Sequence, residues 1–175
     1  DNDILIKTKL LEFNFLYAKD DKCLVEIDGE DLTSRIREHH VSTLASIYSK
    51  NAIVRDYLKD LQRNIANARP SILEGRDIGT VVFPNAAMKF FLTANDEVRA
   101  QRRFTQIKGL EPNTSLTVAT IKADIIKRDE EDSNRVVAPL SIAEDATEID
   151  TSDLSIADIV DLICEKFGRN QQHFQ

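Results

Sequence analysis

An arginine and an aspartate between two glycines form the first group of residues that could bind an anion. The run EGRDIGT at residues 74–80 follows residues 71–73, a short apolar segment that we predict to be a buried strand. Ligands of open α/β sheets bind beyond the carboxyl ends of strands, and glycines there allow close approach to the backbone. Arg76 could bind two phosphate oxygens at once. The pattern favours a phosphate site, and a surface turn closed by Arg76 and Asp77 is the alternative.

Arg128, Asp132 and Arg135 form a second group, because spacings of four and three residues place them on one face of a helix if the helix persists that far. Ile125 and Ile121 extend that face backwards, so the helix would leave the core and enter a polar cleft. The arginines would face phosphates there, and an ionised Asp132 could accept a hydrogen bond from a ribose hydroxyl. A solvated helix end with internal salt bridges is the alternative.

A third group consists of Arg99, Arg102 and Arg103, of which the first and last are one helical turn apart. Like charges at this spacing destabilise a helix, so a polyanionic ligand is one reason for their presence. A solvated helix face is the commoner explanation of such a pattern.

One phosphate-binding motif is missing from the 175 residues. None of the five glycines precedes Lys-Ser or Lys-Thr, so the sequence contains no G-x-x-x-x-G-K-[ST] loop to cradle ATP. The three histidines show no metal-ligand spacing with the two cysteines, and we expect no metal site formed by the protein itself.

Composition narrows the class of protein. A formal net charge of −7 argues against a general nucleic-acid binder, although a phosphate site depends on local arginines rather than on the total. No apolar run approaches the roughly 20 residues that a membrane helix needs. We therefore expect no membrane association and a cytoplasmic location.

Periodicity predicts the elements that must position these residues. Alternating segments at 13–17 and 23–27 predict a hairpin that turns again at Asp28 and Gly29 into a third short strand. Two helices should follow, the second capped by Asn51. Further helices are expected over residues 1–11, 96–107, 116–132 and 155–168, the last closed by Gly168, and further strands over 88–92 and 147–150. Strands that alternate with helices in the second half indicate an α/β fold with a parallel sheet flanked by helices.

Two runs carry a resemblance to a known family. EGRDIGTVVFP at residues 74–84 and RDEEDSNRVVAPL at residues 128–140 resemble signature segments of bacterial cytidylate kinases, which are nucleoside-monophosphate kinases. The segments GEDLTSRIR, SIYSKNAIVR and IDTSDLSI are similar to the same family, so the resemblance spans nearly the whole chain. It implies a monophosphate-binding insertion at residues 1–69 and an α/β kinase core at 70–175, with a short lid around residues 104–115.

The resemblance also implies residue roles. Ser46, Arg55 and Asp77 match the positions that read cytosine. Arg128 and Asp132 match the residues that hold the pentose. Three arginines match those around the monophosphate and the transferring group and are implied to be catalytic: Arg76, Arg128 and Arg135. Arg99 and Arg103 match positions that face ATP phosphates.

The implied activity is transfer of the γ-phosphoryl group of Mg²⁺-bound ATP to CMP or dCMP, giving CDP or dCDP. Members of the family belong to pyrimidine metabolism and act on these small molecules as monomers. In the family, the strand and loop that grip ATP would lie upstream of Asp1, so we expect the 175-residue chain alone to be nearly inactive. A kinase for another monophosphate such as UMP, or a non-catalytic nucleotide-binding or interaction module, is the alternative.

Overall fold

The computed structural model of the chain describes residues 15–19, 22–27, 29–68 and 70–171. Its strands are β1 (Phe15–Lys19), β2 (Lys22–Ile27), β3 (Glu30–Asp31), β4 (Phe90–Thr93) and β5 (Thr147–Asp150). Its α-helices are α1 (His39–Tyr48), α2 (Ala52–Asn67), α3 (Asp96–Leu110), α4 (Val118–Asn134) and α5 (Ile156–Gln171). A 3-10 turn (Arg35–Arg37) and a π-helical turn (Ile78–Val82) complete the described elements.

These elements form two compact units. The hairpin unit contains the described residues up to Leu73, together with Gln106–Thr114 and Arg135–Val137. The sheet unit contains Glu74–Thr105, Ser115–Asn134 and the described residues from Ala138 onward. The division into an insertion at residues 1–69 and a core with a lid around 104–115 stays a prediction.

The three strands of the hairpin unit are antiparallel, as predicted. β1 pairs with β2 in a register that joins Phe15 to Ile27, and β3 pairs with the end of β2. Gly29, between β2 and β3, has a φ of +83°, a left-handed conformation that an L side chain rarely adopts. The helix expected over residues 1–11 lies outside the described residues.

Two helices follow the strands, which confirms the prediction for this segment. The Asn51 side chain accepts hydrogen bonds from the backbone N–H groups of Ile53 and Val54, at 2.9 and 3.2 Å. Asn51 therefore caps α2 as the sequence indicated, and the helix ends before Pro70.

The sheet unit is built around two parallel strands. β4 pairs with β5 in an unbroken register from Phe90 opposite Thr147 to Thr93 opposite Asp150. The apolar core of this unit includes Val82, Ala100, Ile121 and Ile149, each nearly inaccessible to solvent. The predicted combination of a parallel sheet with flanking helices is confirmed.

Two features predicted from the sequence, a strand at residues 71–73 and the end of the last helix, are wrong. Residues 71–73 form no strand. Pro70, just before them, has no backbone N–H to donate to a neighbouring strand, and the Ile72 side chain is fully exposed. The segment therefore has neither hydrogen bonds to a partner strand nor burial to hold it in a sheet. Helix α5 does not close at Gly168 but continues to Gln171, because Gly168 does not adopt the positive φ that ends a helix. No helix among the described residues has the length and apolar character needed to cross a bilayer.

Candidate functional site

Five charged side chains of the sheet unit meet in what we call the arginine–carboxylate cluster. Arg76 lies in the bend before the π-helical turn, and Arg99 lies on the first turns of α3. Arg128, Asp129 and Asp132 lie on α4, at spacings that share one helix face. The three arginines were predicted from sequence, and the structure brings them together.

Asp129 bridges two of these arginines. Its Oδ1 accepts a hydrogen bond of 2.6 Å from Arg76 Nη1, and its Oδ2 lies 2.5 Å from Arg99 Nη1. The Asp129 side chain is 24 % exposed, so these contacts are only partly screened by water. One carboxylate thus fixes two guanidinium groups that belong to separate elements.

Asp132 is the most buried member of the cluster, with a side chain that is 7 % exposed. Its Oδ2 lies 2.8 Å from Arg76 Nε and 3.8 Å from Arg128 Nε. A buried carboxylate needs opposite charge nearby to offset its lost hydration, and both arginines supply that charge. The sequence placed Asp132 between Arg128 and Arg135, whereas its ion pairs in the structure are with Arg76 and Arg128.

Arg128 is incompletely satisfied. Its Nε atom is buried and makes no hydrogen bond to the described residues. Burial lowers the pKa of Arg128, and the positive charges of Arg76 and Arg103 lower it further, despite the opposing effect of Asp132 and Asp129. A bound anion would relieve both the repulsion and the missing hydrogen bond, so the position suits a phosphate group.

Opposite charges set the ionisation of the bridging pair. Burial alone would raise the pKa of Asp129, but hydrogen bonds from Arg99 and Arg76 outweigh it and hold that pKa below its usual range. The hydrogen bond to Asp129 likewise raises the pKa of Arg99. Asp129 and Arg99 are therefore fully charged at neutral pH.

Local backbone geometry presents Arg76 to α4. A Cβ at Gly75 would lie 2.8 Å from the Ile78 Cγ1, closer than side chains pack, so any larger residue there would force the Ile78 side chain to move. The Asp77 carbonyl oxygen accepts from the N–H groups of Val81 and Val82, which starts the π-helical turn. The tight turn predicted at this run is therefore present, although no strand precedes it.

The predicted cytosine-reading residues are divided between the two units. Ser46 and Arg55 belong to the hairpin unit and meet at Ser49, whose Oγ donates to the Ser46 carbonyl oxygen at 2.9 Å. Arg55 Nη1 donates to the Ser49 carbonyl oxygen at 3.1 Å. Asp77 belongs to the sheet unit. The turn between α1 and α2 thus holds two of the three residues.

Arg135 lies one residue beyond the end of α4, so it does not continue the helix face that Arg128 and Asp132 share. It is assigned to the hairpin unit, and one of its guanidinium nitrogens, Nη2, is buried. The shared face of three residues required a helix that persists to Arg135, and this condition is not met because α4 ends at Asn134.

The arginines of α3 have different surroundings. Arg102 donates to the Thr151 hydroxyl and to the carbonyl oxygens of Thr151 and Leu154, so it ties α3 to the turn after β5. The positive charge of Arg103 also lowers the pKa of Arg128, although burial and the charge of Arg76 lower it more. Arg99 contacts the cluster carboxylate Asp129 directly.

Asp129 is the site residue that the sequence interpretation missed. Its signal was present, since Asp129 stands three residues before Asp132 and so shares its helix face. Among the residues that the structure describes, no group of three His, Cys, Asp or Glu side chains could hold a metal ion.

Comparisons with known proteins bear on the identity of the chain. The family model described as cytidylate kinase matches residues 3–169. A cytidylate kinase of Clostridium tetani is 47 % identical over 148 residues, which cover 85 % of this chain and 64 % of that protein. Cytidylate kinases of Geobacter sulfurreducens and Chloroherpeton thalassium are 43 % and 40 % identical, over 92 % and 94 % of this chain and 69 % and 70 % of those proteins.

The chain therefore spans about two thirds of the length of these relatives. The match extends over both signature runs and over both compact units. It confirms the family resemblance indicated by the motifs, and the chain belongs to the cytidylate kinase family.

Proposed function

We propose that the protein acts as a cytidylate kinase, transferring the γ-phosphoryl group of ATP to CMP or dCMP to give CDP or dCDP. The observation that carries the proposal is the convergence of Arg76, Arg99 and Arg128 on Asp129 and Asp132 in one compact unit. Relatives covering most of the chain bear this name.

The cluster would act by neutralising and aligning phosphates. The acceptor in this reaction is already an anion, so transfer needs positive charge and alignment rather than a strong base. Arg76 and Arg128, with Arg135, would hold the CMP phosphate and the transferring group, while Arg99 and Arg103 would face ATP phosphates. Arg128 and Asp132 would also hold the pentose, with Asp132 accepting from a sugar hydroxyl.

Base recognition would fall to Ser46, Arg55 and Asp77. A hydroxyl, a guanidinium and a carboxylate can together address the exocyclic amine, ring nitrogen and carbonyl of cytosine. Arg55 Nη1 donates to the Ser49 carbonyl oxygen just beyond α1, the helix on which Ser46 lies, and this contact supports the proposal that Arg55 acts near Ser46.

ATP and Mg²⁺ fit this site in different ways. The buried Arg128 Nε, which lacks a hydrogen bond to the described residues, suits a phosphate oxygen. When bound, Mg²⁺ would supply neutralisation of the negative charge of the ATP phosphates. The described residues offer no group of three metal ligands, so we propose that Mg²⁺ arrives with ATP.

We also propose that the protein is a monomer and that it is located in the cytoplasm.

A nucleotide panel tests the substrate. We expect CMP and dCMP to raise the thermal unfolding midpoint more than UMP or AMP at equal concentration, because binding to the native state stabilises it. Arg55→Met should abolish the preference for CMP, while Arg35→Met, at an exposed arginine paired with Glu30, should preserve it. A larger shift with UMP or AMP would indicate a kinase for another monophosphate.

A further proposal concerns the 175 residues by themselves. They contain no G-x-x-x-x-G-K-[ST] motif, and single donors at such transition states are worth about 3–4 kcal/mol each. We therefore expect very slow turnover in a coupled assay of ATP consumption with CMP. Turnover typical of kinases, about 1–100 per second, would overturn the expectation of low activity.

A further inference from the structure

Asp129 joins two arginines to which the proposed function gives different ligands. Arg76 is assigned to the acceptor phosphate and Arg99 to the donor phosphates. The Asp129 carboxylate contacts the Nη1 atoms of both, at 2.6 and 2.5 Å. No role for Asp129 follows from the motifs, so its contacts call for an explanation of their own.

We propose that Asp129 is a positioning residue that sets the spacing of Arg76 and Arg99, and so aligns two phosphate groups. The proposal rests on the proposed function for the identity of those phosphates. A carboxylate suits this task because it has two oxygens, one for each guanidinium group. An asparagine in its place could accept from only one of them.

The contacts leave both arginines able to bind a ligand. Arg76 uses Nη1 for Asp129 and Nε for Asp132, and neither contact involves its Nη2. Arg99 uses Nη1 for both Asp129 and Asp96, and neither contact involves its Nε or Nη2. In these ion pairs Arg76 thus keeps the donors of its Nη2, and Arg99 keeps those of its Nε and Nη2, for phosphate oxygens.

The opposite role for Asp129 makes a distinct prediction. If Asp129 merely occupied the arginines in place of phosphate, its neutralisation would strengthen anion binding, since it would remove a competing negative charge. If Asp129 positions the arginines, its neutralisation weakens anion binding. The bridge between two elements, α4 and α3, favours positioning, because a competitor would need to contact only one arginine.

Isothermal titration of the 175-residue chain with inorganic tripolyphosphate and with cytidine tests the proposal. We expect Asp129→Asn to weaken tripolyphosphate binding about tenfold, the typical effect of losing one charge-assisted hydrogen bond. Cytidine affinity should stay within about twofold of wild type, since the residues proposed to read the base lie outside the cluster. The ion pairs of Asp129 are with Arg76 and Arg99 and not with Arg128, which is proposed to hold the pentose. Asp145→Asn is the matched control: it removes an equivalent contact to Lys89 in the same unit, outside the cluster, and should leave both affinities unchanged.

The variant Asp129→Glu covers the case in which Asp129→Asn does not fold. It keeps the charge but lengthens the bridge, so we expect at least about threefold weaker tripolyphosphate binding. Unchanged or tighter binding in either folded variant, a parallel loss of cytidine affinity, or no tripolyphosphate binding by the wild type would each overturn the proposal. If Asp129→Asn behaves as expected but the wild type prefers UMP or AMP, the proposed function fails and the positioning role stands.

Discussion

Asp129 and Asp132 stand three residues apart on α4, yet their surroundings give them different roles. Asp132 is nearly inaccessible and lies against Arg76 and Arg128, whereas Asp129 is partly exposed and bridges Arg76 and Arg99. A buried carboxylate depends on its partners to offset the cost of leaving water. A partly exposed carboxylate carries less of that cost, which suits a residue that holds two arginines next to a ligand.

The substitution Asp132→Asn should destabilise the sheet unit. Without the negative charge of Asp132, the repulsion between the positive charges of Arg76 and Arg128 is less offset. The free energy of unfolding should fall by about 2 kcal/mol, less than for a fully buried ion pair, because Arg76 is partly exposed. Urea denaturation followed by circular dichroism measures the change. Glu97→Gln, which removes an exposed ion pair with Lys122, is the control and should not alter the midpoint measurably.

Asp129 should make stability depend on pH on the acid side. Its pKa in the folded state lies below the unfolded value of about 3.9, so the ionised form contributes stability above about pH 4. That contribution is lost as the pH falls through the folded pKa. The difference in unfolding free energy between wild type and Asp129→Asn should therefore be largest near neutral pH and shrink below about pH 4. Denaturation curves across this range with a constant difference would contradict the assignment.

At the scale of elements, the Asn51 cap decides where α2 begins and therefore where Arg55 lies. Asn51→Ala removes the acceptor for the N–H groups of Ile53 and Val54, at an expected cost of about 1 kcal/mol. The same variant should weaken CMP binding, because Arg55 lies on the first turn of α2. Asn51→Asp keeps the acceptor and should behave as wild type in both the unfolding and the binding measurements.

The turn between β2 and β3 depends on Gly29. Alanine there must adopt a φ of +83°, so Gly29→Ala should cost about 1 kcal/mol although nothing lies within 4 Å of the added Cβ. Gly109→Ala provides the contrast, since Gly109 lies in helix α3 with equal space around it and alanine favours helices. It should stabilise slightly. Thermal unfolding of the two variants should move in opposite directions, and equal shifts would contradict this account.

The sequence predicted most elements because their determinants are local. Asn51, the stripe of apolar residues in α2 and the alternation in β2 are signals within a few residues. Residues 71–73 misled the prediction because an apolar run does not show whether a partner strand pairs with it. Gly168 misled it because glycine allows a helix to end but does not require it to.

The site was predictable in part for a related reason. Arg76, Arg128 and Asp132 stand in runs whose spacing or glycine content suggests anion binding. The bridge through Asp129 joins residues 76, 99 and 129, which belong to three separate elements, and no periodicity within one element contains it. Such contacts depend on the fold and could not be read from spacing alone.

On the scale of the whole molecule, the chain is acidic while its candidate site collects arginines. A net charge of −7 repels anions at long range, so any affinity for a phosphate must come from short-range contacts in the cluster. Among the described residues, the buried Arg128 Nε is a donor that makes no hydrogen bond and could donate to a phosphate oxygen.

The most direct test of the account compares CMP with cytidine by isothermal titration, in the wild type and in Arg128→Gln. If the arginine–carboxylate cluster is the phosphate site, the wild type should bind CMP at least about tenfold more tightly than cytidine, since charge-assisted contacts to phosphate are worth about 1.5–3 kcal/mol. Arg128→Gln should lose most of that advantage while Arg35→Gln retains it. Equal affinities for CMP and cytidine in the wild type would contradict the central claim.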